Sequence, residues 1–174
     1  MTHTSLNYSV IVAKKADKKS ILRFYKANHY PARFIGFDHC YLIKVDDNII
    51  ASVIISQGNN SQQLDPTSEN ASNSSYLDLC KNKPAYFLHA LLVAPNYRGL
   101  GYAEHLLAHA IMNHQPLVCF AQESLRSFYL NNGFTYIADN LLSQCLSHDL
   151  YSRFQQYSKT KAELKAFVYQ KVKR

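Results

Sequence analysis

The sequence predicts an α/β domain built on a central mixed β-sheet flanked by helices. Three observations carry this. Two strand-like runs, residues 40–45 and 49–56, are joined by Asp46-Asp47-Asn48, which favours a tight antiparallel hairpin. After residue 86, strand-like and helix-like segments alternate, an order that places strands in parallel. Between these regions, Tyr86–Val93 (YFLHALLV) is apolar almost throughout, as burial on both faces requires.

The elements follow in order. Residues 8–13 (YSVIVA) read as a first strand. Asp17 stands where an N-cap is needed, for a helix to about His29 with Ile21, Phe24, Tyr25 and Asn28 on one face. Pro31 predicts its stop. An aromatic passage follows: Tyr30, Phe34, Phe37 and Tyr41. Beyond the hairpin the chain turns rich in Ser, Asn and Gln. That composition predicts a long polar loop over residues 57–80, inside a single domain of residues 1–174. A helix starts at Gly101, with Ala103, Leu106, Leu107, Ala110 and Ile111 in amphipathic spacing. Residues 117–120 read as a short strand and 125–130 as a short helix, stopped by Asn131-Asn132-Gly133. Residues 134–137 read as another strand. A helix aligns Leu150, Tyr151, Phe154 and Tyr157, and residues 167–172 close the chain as a strand.

Composition bounds the function classes. With 174 residues, 47% of them hydrophobic, the chain can bury a core without disulfides or metal. No apolar run reaches the ~18 residues of a membrane helix, and the polar start shows no signal peptide. Cys40, Cys80, Cys119 and Cys145 form no CxxC pair and read as reduced thiols, which implies a cytoplasmic protein. Lys and Arg number 19 against 12 acidic residues, for a net charge of +7. Such an excess suits an anionic partner: nucleic acid, an acidic surface or a phosphorylated cofactor.

The segment that carries chemistry is Val93-Ala94-Pro95-Asn96-Tyr97-Arg98-Gly99-Leu100-Gly101-Tyr102-Ala103. A buried strand ends, a glycine-bearing turn follows, and a helix begins. Glycine lets the backbone approach a ligand closely at φ > 0. The helix start offers unpaired N–H donors and a positive dipole end, and Arg98 adds a full charge. Together they form a pyrophosphate cradle. It is neither a Walker A loop nor GxGxxG.

The pattern R-x-x-G-x-A (Arg98, Gly101, Ala103), after an L-x-V-x-P strand end (Leu91, Val93, Pro95), resembles the acyl-CoA signature of the GNAT superfamily of N-acyltransferases. Phe128-Tyr129-Leu130-Asn131-Asn132-Gly133-Phe134 is similar to the family's second signature. The resemblance implies a GNAT-type acyl-CoA N-acyltransferase fold. It implies transfer of acetyl from acetyl-CoA to a primary amine of a small molecule or protein, by direct attack. The backbone of Leu91, Leu92 and Val93 would pair with the pantetheine arm and hold the thioester oxygen. Arg98, Gly99, Leu100, Gly101, Tyr102 and Ala103 would hold the pyrophosphate. Tyr129 would be the general acid, since a phenol with a free-solution pKa near ~10 keeps a proton to give. Packing on a short helix is the alternative for that ring. Leu88-His89-Ala90-Leu91-Leu92-Val93 is similar to the L-H-A-L-x-V strand of arylalkylamine N-acetyltransferases, which implies His89 as base; their second histidine is Phe87 here. The other reading of His89 is a hydrogen-bonded core residue. By the same resemblance Tyr25, Tyr30, Phe34 and Phe37 would wall the amine acceptor, against core packing as the alternative.

Some residues depart from the pattern. Gln122 and Glu123 stand where the family often has Asn, and Glu104 sits one step past the cradle. His105 and His109 have metal-ligand spacing but no third ligand nearby, so they read as a solvated helix face and no metal is expected. Cys119 is a weak candidate for a ping-pong nucleophile. A second class of function is a non-catalytic acyl-CoA-binding sensor or interaction module with a basic surface. Eight of the basic residues lie in residues 1–50 and seven in 151–174. No helix-turn-helix or RNP-type motif supports nucleic acid as a partner, and no membrane partner is implied. The oligomeric state stays open between monomer and homodimer.

Overall fold

The computed structural model describes residues 8–34, 38–58 and 86–171. Seven strands are ordered β1-β2-β3-β4-β5-β7-β6 in one sheet. They are β1 (Ile11–Val12), β2 (His39–Val45), β3 (Asn48–Gln57), β4 (Tyr86–Val93), β5 (Leu117–Gln122), β6 (Thr135–Ile137) and β7 (Leu164–Tyr169). The helices are α1 (Lys18–Ala27), α2 (Tyr102–Asn113), α3 (Arg126–Asn131), α4 (Leu142–Cys145) and α5 (His148–Ser158). This is the mixed sheet with flanking helices that the sequence predicts. The chain forms two compact units, residues 1–56 with 88–113 and residues 57–87 with 114–174.

In the first unit, β1 pairs with β2 and β2 with β3, both antiparallel. The hairpin turns on Asp46 and Asp47, at φ 49° and 62°. Two successive left-handed residues make the turn whose twist matches the strands, and Asp tolerates that conformation. Cys40, Leu42 and Ile54 pack with Ile21, Phe24 and Tyr25 of α1. On the other face of β2, Tyr41 meets His109 of α2 at 4.5 Å between ring centroids. Period-2 alternation of apolar residues on both faces thus explains why β2 and β3 are buried nearly throughout.

Three boundaries in this unit differ from expectation. Asp17 does not cap α1; its carboxylate accepts from the Lys14 N–H at 2.8 Å, closing a 3-10 turn at Lys15–Asp17. Helix α1 ends before Pro31. His29, at φ 53°, is the left-handed residue of a Schellman stop, with His29 N–H bonded to Lys26 O and Tyr30 N–H to Tyr25 O. The expected first strand shrinks to β1, two exposed residues long.

In the second unit, β7 pairs antiparallel with both β5 and β6. One face carries Val118, Ile137, Ala166 and Val168 against Leu142, Cys145, Leu150 and Phe154 of α4 and α5. The other carries Cys119 and Phe167, both wholly buried. The Ser147 side chain caps α5 by accepting from Leu150 N–H. Helix α3 repeats the stop of α1. Gly133, at φ 83°, bonds to Leu130 O, and Phe134 N–H bonds to Tyr129 O. A Cβ at Gly133 would lie 3.1 Å from the Tyr169 ring, so glycine is needed there twice over. Strand β7 begins at Leu164, three residues before the expected start. Its register on β5 and β6 sets that start, and Glu163 O accepts from Glu123 N–H just ahead of it. Val172 and nearly all of the polar segment 57–80 lie outside the described residues.

Candidate functional site

In the first unit the site is built on β4 and the turn after it. Nothing in the apolar run Leu88–Val93 suggests an interruption, yet Ala90 sits at φ 56°. A left-handed non-glycine residue costs about 1–2 kcal/mol, so its surroundings must hold it. The Tyr25 hydroxyl donates to Ala90 O at 2.5 Å and lies 3.0 Å from Ser52 Oγ, which is 3.4 Å from Cys40 Sγ. All three side chains are buried. Tyr25 is thus packed in the core, 1% exposed. Tyr30 and Phe34 are half-buried against the same cluster, and Phe37 lies outside the described residues.

His89 precedes the kink and is half-buried, with Nε2 2.8 Å from Ser56 Oγ. Ser56 is a functional candidate that the sequence did not suggest. It lies 33 positions away, and only the pairing of strands brings it to His89. Beyond the kink, Leu92 is buried while Leu91 and Val93 are half-buried.

At the end of β4 a 3-10 turn, Pro95–Tyr97, leads into Arg98. Arg98 Nε donates to Val93 O at 3.1 Å, folding the exposed side chain back over the strand end. That bond uses one of five guanidinium N–H donors. Gly99 and Gly101 stand at φ 74° and 83°. A Cβ at Gly99 would meet no heavy atom within 4 Å, and one at Gly101 would meet only His105 Nδ1, at 4.0 Å. The protein thus keeps open the space that side chains would fill. Backbone N–H groups of residues 101–104 start α2 and have no intrahelical acceptor; the first helical bond is His105 N–H to Gly101 O. Tyr102 buries its ring against Tyr8, so its backbone alone is offered. Glycines at positive φ, a helix start and an exposed arginine are the parts from which anion-binding turns are built.

His105 is exposed, as on a solvated helix face, and His109 is half-buried. His105 Nδ1 lies 2.9 Å from Tyr8 Oη and from Gly101 O, and His109 packs on Tyr41. No cluster of metal-ligating side chains exists among the described residues.

In the second unit, Tyr129 lies on α3 and is 5% exposed. Its ring stacks on Phe167 at 5.2 Å and meets Phe134 and Phe128 edge-on. The hydroxyl is hydrogen-bonded to the Cys119 thiol. Burial pushes that thiol far above its ordinary pKa, more than the Tyr129 bond lowers it. Burial likewise pushes the Cys40 thiol up to about 11. Cys40, Cys119 and Cys145 are all buried, and apolar burial disfavours the thiolate and limits access of a reagent. Iodoacetamide should therefore leave Cys40, Cys119 and Cys145 unmodified in the folded protein and label them after denaturation. Native-state labelling of Cys119, read by peptide mass spectrometry, would contradict this. Glu123 is ion-paired through both oxygens with Arg126, whose guanidinium lies 4.1 Å over the Tyr136 ring.

The profile of the Acetyltransferase (GNAT) family matches residues 12–134, well over half the chain. The chain therefore belongs to the GNAT acetyltransferase family. No curated protein sequence matches it. Among solved structures it is similar to Arabidopsis thaliana NAA60 in complex with acetyl-CoA, with 11% identity and a TM-score of 0.61, covering 94% of this chain and 98% of that one. It is similar to Arabidopsis thaliana Naa50 in complex with the bisubstrate analogue CoA-Ac-MVNAL, with 13% identity and a TM-score of 0.57, covering 96% and 100%. It also resembles N-acetylglutamate synthase from Neisseria gonorrhoeae complexed with coenzyme A and N-acetyl-glutamate, with 15% identity and a TM-score of 0.59, covering 96% of this chain and 35% of that one. At such identities the likeness speaks for the fold. Family membership makes the chain a GNAT-type N-acetyltransferase with acetyl-CoA as donor. No helix among the described residues is long and apolar enough to cross a membrane.

Proposed function

We propose that the chain moves an acetyl group from acetyl-CoA to a primary amine, of a small molecule or a protein, by direct attack. The observation that carries this is the turn after β4. Gly99 and Gly101 are both left-handed there, Arg98 stands at the mouth, and a helix start follows, in a chain of the GNAT family.

Acetyl-CoA supplies an acetyl group already activated as a thioester. His89 serves as base: Ser56 fixes its ring through Nε2, and a neutral imidazole takes a proton from the acceptor's ammonium so that the neutral amine can attack the thioester. Tyr129 holds a phenolic proton in an apolar cage and is the acid for the departing thiolate. Backbone N–H groups of the kinked stretch of β4, around Leu91, stabilise oxygen charge as it develops. Tyr30 and Phe34 border the acceptor and favour an amine with apolar surface.

The test has two parts. Acetyl-CoA at ~100 times its Kd should stabilise the protein by about 2.7 kcal/mol, raising Tm by roughly 5–10 °C. Free thiol should then appear when amines, amino acids and peptides are offered in turn. A melting curve that acetyl-CoA leaves unmoved would sink the proposal. Binding without thiol release, across the whole panel, would favour the non-catalytic sensor.

A further inference from the structure

The buried bonds of Tyr25 have a single consistent direction. A tyrosine hydroxyl owns one proton, and a carbonyl oxygen can only accept. The 2.5 Å contact with Ala90 O therefore takes the Tyr25 proton. Ser52 must then donate to Tyr25 Oη across 3.0 Å, and the Cys40 thiol donates to Ser52 Oγ across 3.4 Å. Each proton is used once, and the chain runs Cys40, Ser52, Tyr25, Ala90. It ends on the carbonyl of the residue that is left-handed within β4. Burial raises the pKa of Tyr25 well above the usual phenol range and keeps the proton in place. Phenylalanine would fill the same core with no buried hydroxyl to satisfy.

We propose that Tyr25 is a positioning residue for acetyl transfer: backed by Ser52 and Cys40, its hydroxyl holds the Ala90 kink that aims His89 and the Leu91 N–H. The inference rests on β4 being the catalytic strand, as in the function proposed above. Strand β4 is then tied at three points, by Ser56 at His89, by Tyr25 at Ala90 and by Arg98 at Val93. Without the middle tie, Ala90 can relax toward ordinary extended backbone. That would turn its neighbours, because side chains alternate along a strand.

The test is a cycle of Tyr25→Phe, Ala90→Gly and the double variant. Tyr25→Phe should lower kcat roughly tenfold while changing KM for acetyl-CoA less than about threefold. Glycine takes the left-handed conformation without strain, so Ala90→Gly in the Tyr25→Phe background should restore most of kcat. A merely structural tyrosine would show no such rescue. Wild-type kcat in Tyr25→Phe, or a double variant as slow as Tyr25→Phe, overturns the proposal. If the wild-type protein shows no transfer at all, the proposed function fails, and melting temperatures still decide the role of Tyr25. The Tm loss caused by Tyr25→Phe should then shrink by about half in the Ala90→Gly background. Additive losses would mean that the hydroxyl does not hold the kink.

Discussion

Tyr129→Phe should lower kcat about a hundredfold, within the range usual for loss of a general acid, with KM for acetyl-CoA nearly unchanged. The substitution removes one O–H and leaves the ring on Phe167, Phe134 and Phe128. Its structural cost is the bond to the buried Cys119 thiol, worth about 1 kcal/mol net. For a chain of this size that is roughly 2–4 °C in Tm, too little to mimic a loss of activity at room temperature. Cys119→Ala gives the control, since it removes the same bond and keeps the phenol. If the bond is what counts, both variants fall together. If Tyr129 supplies the proton, Cys119→Ala stays within about threefold of wild type while Tyr129→Phe does not. Steady-state kinetics at saturating acetyl-CoA, beside melting curves, separate the two.

What the sequence revealed of this site depends on how local the cause is. Gly99, Gly101 and Gly133 announce their left-handed backbone, because glycine is the residue that adopts it without strain. The Asp46-Asp47 turn is readable for a similar reason. Ala90 gives no such sign. Its kink is imposed by Tyr25, 65 positions away, and an alanine in an apolar run looks like any other strand residue. The same distance hides Tyr25 itself. Its place on the apolar face of α1 is predictable, but where its hydroxyl ends is a tertiary fact. The core burial of Tyr25 is accordingly not readable from its neighbours in the chain. Ser56 is hidden likewise, since the end of a strand before a polar segment carries no mark of a histidine partner. Strand β7 and the short α4 are set by packing against β5, β6 and α5 rather than by their own residues, so the start of β7 is misplaced in the sequence reading and α4 is missing from it.

Phe167→Ala should be the most damaging single change to the second unit. Phe167 is wholly buried, pairs with Cys119 on one side and Tyr136 on the other, and carries the Tyr129 ring on its face. Truncating a buried phenylalanine costs about 3–5 kcal/mol through lost burial and the cavity left behind. Against a total stability of about 5–15 kcal/mol, the expected Tm loss is roughly 6–20 °C. Phe167→Leu isolates the consequence for the site. It keeps most of the apolar volume, so the fold should lose less than Phe167→Ala does, but a leucine offers no flat face for Tyr129 to stack on. A phenol that can rock on its support is misaimed for much of the time, and small misplacements of an acid are costly in rate. Phe167→Leu should thus keep acetyl-CoA binding and lose kcat, whereas Phe167→Ala loses the folded state first. Equal kcat in Phe167→Leu and wild type would show that the stacked face does nothing beyond filling the core.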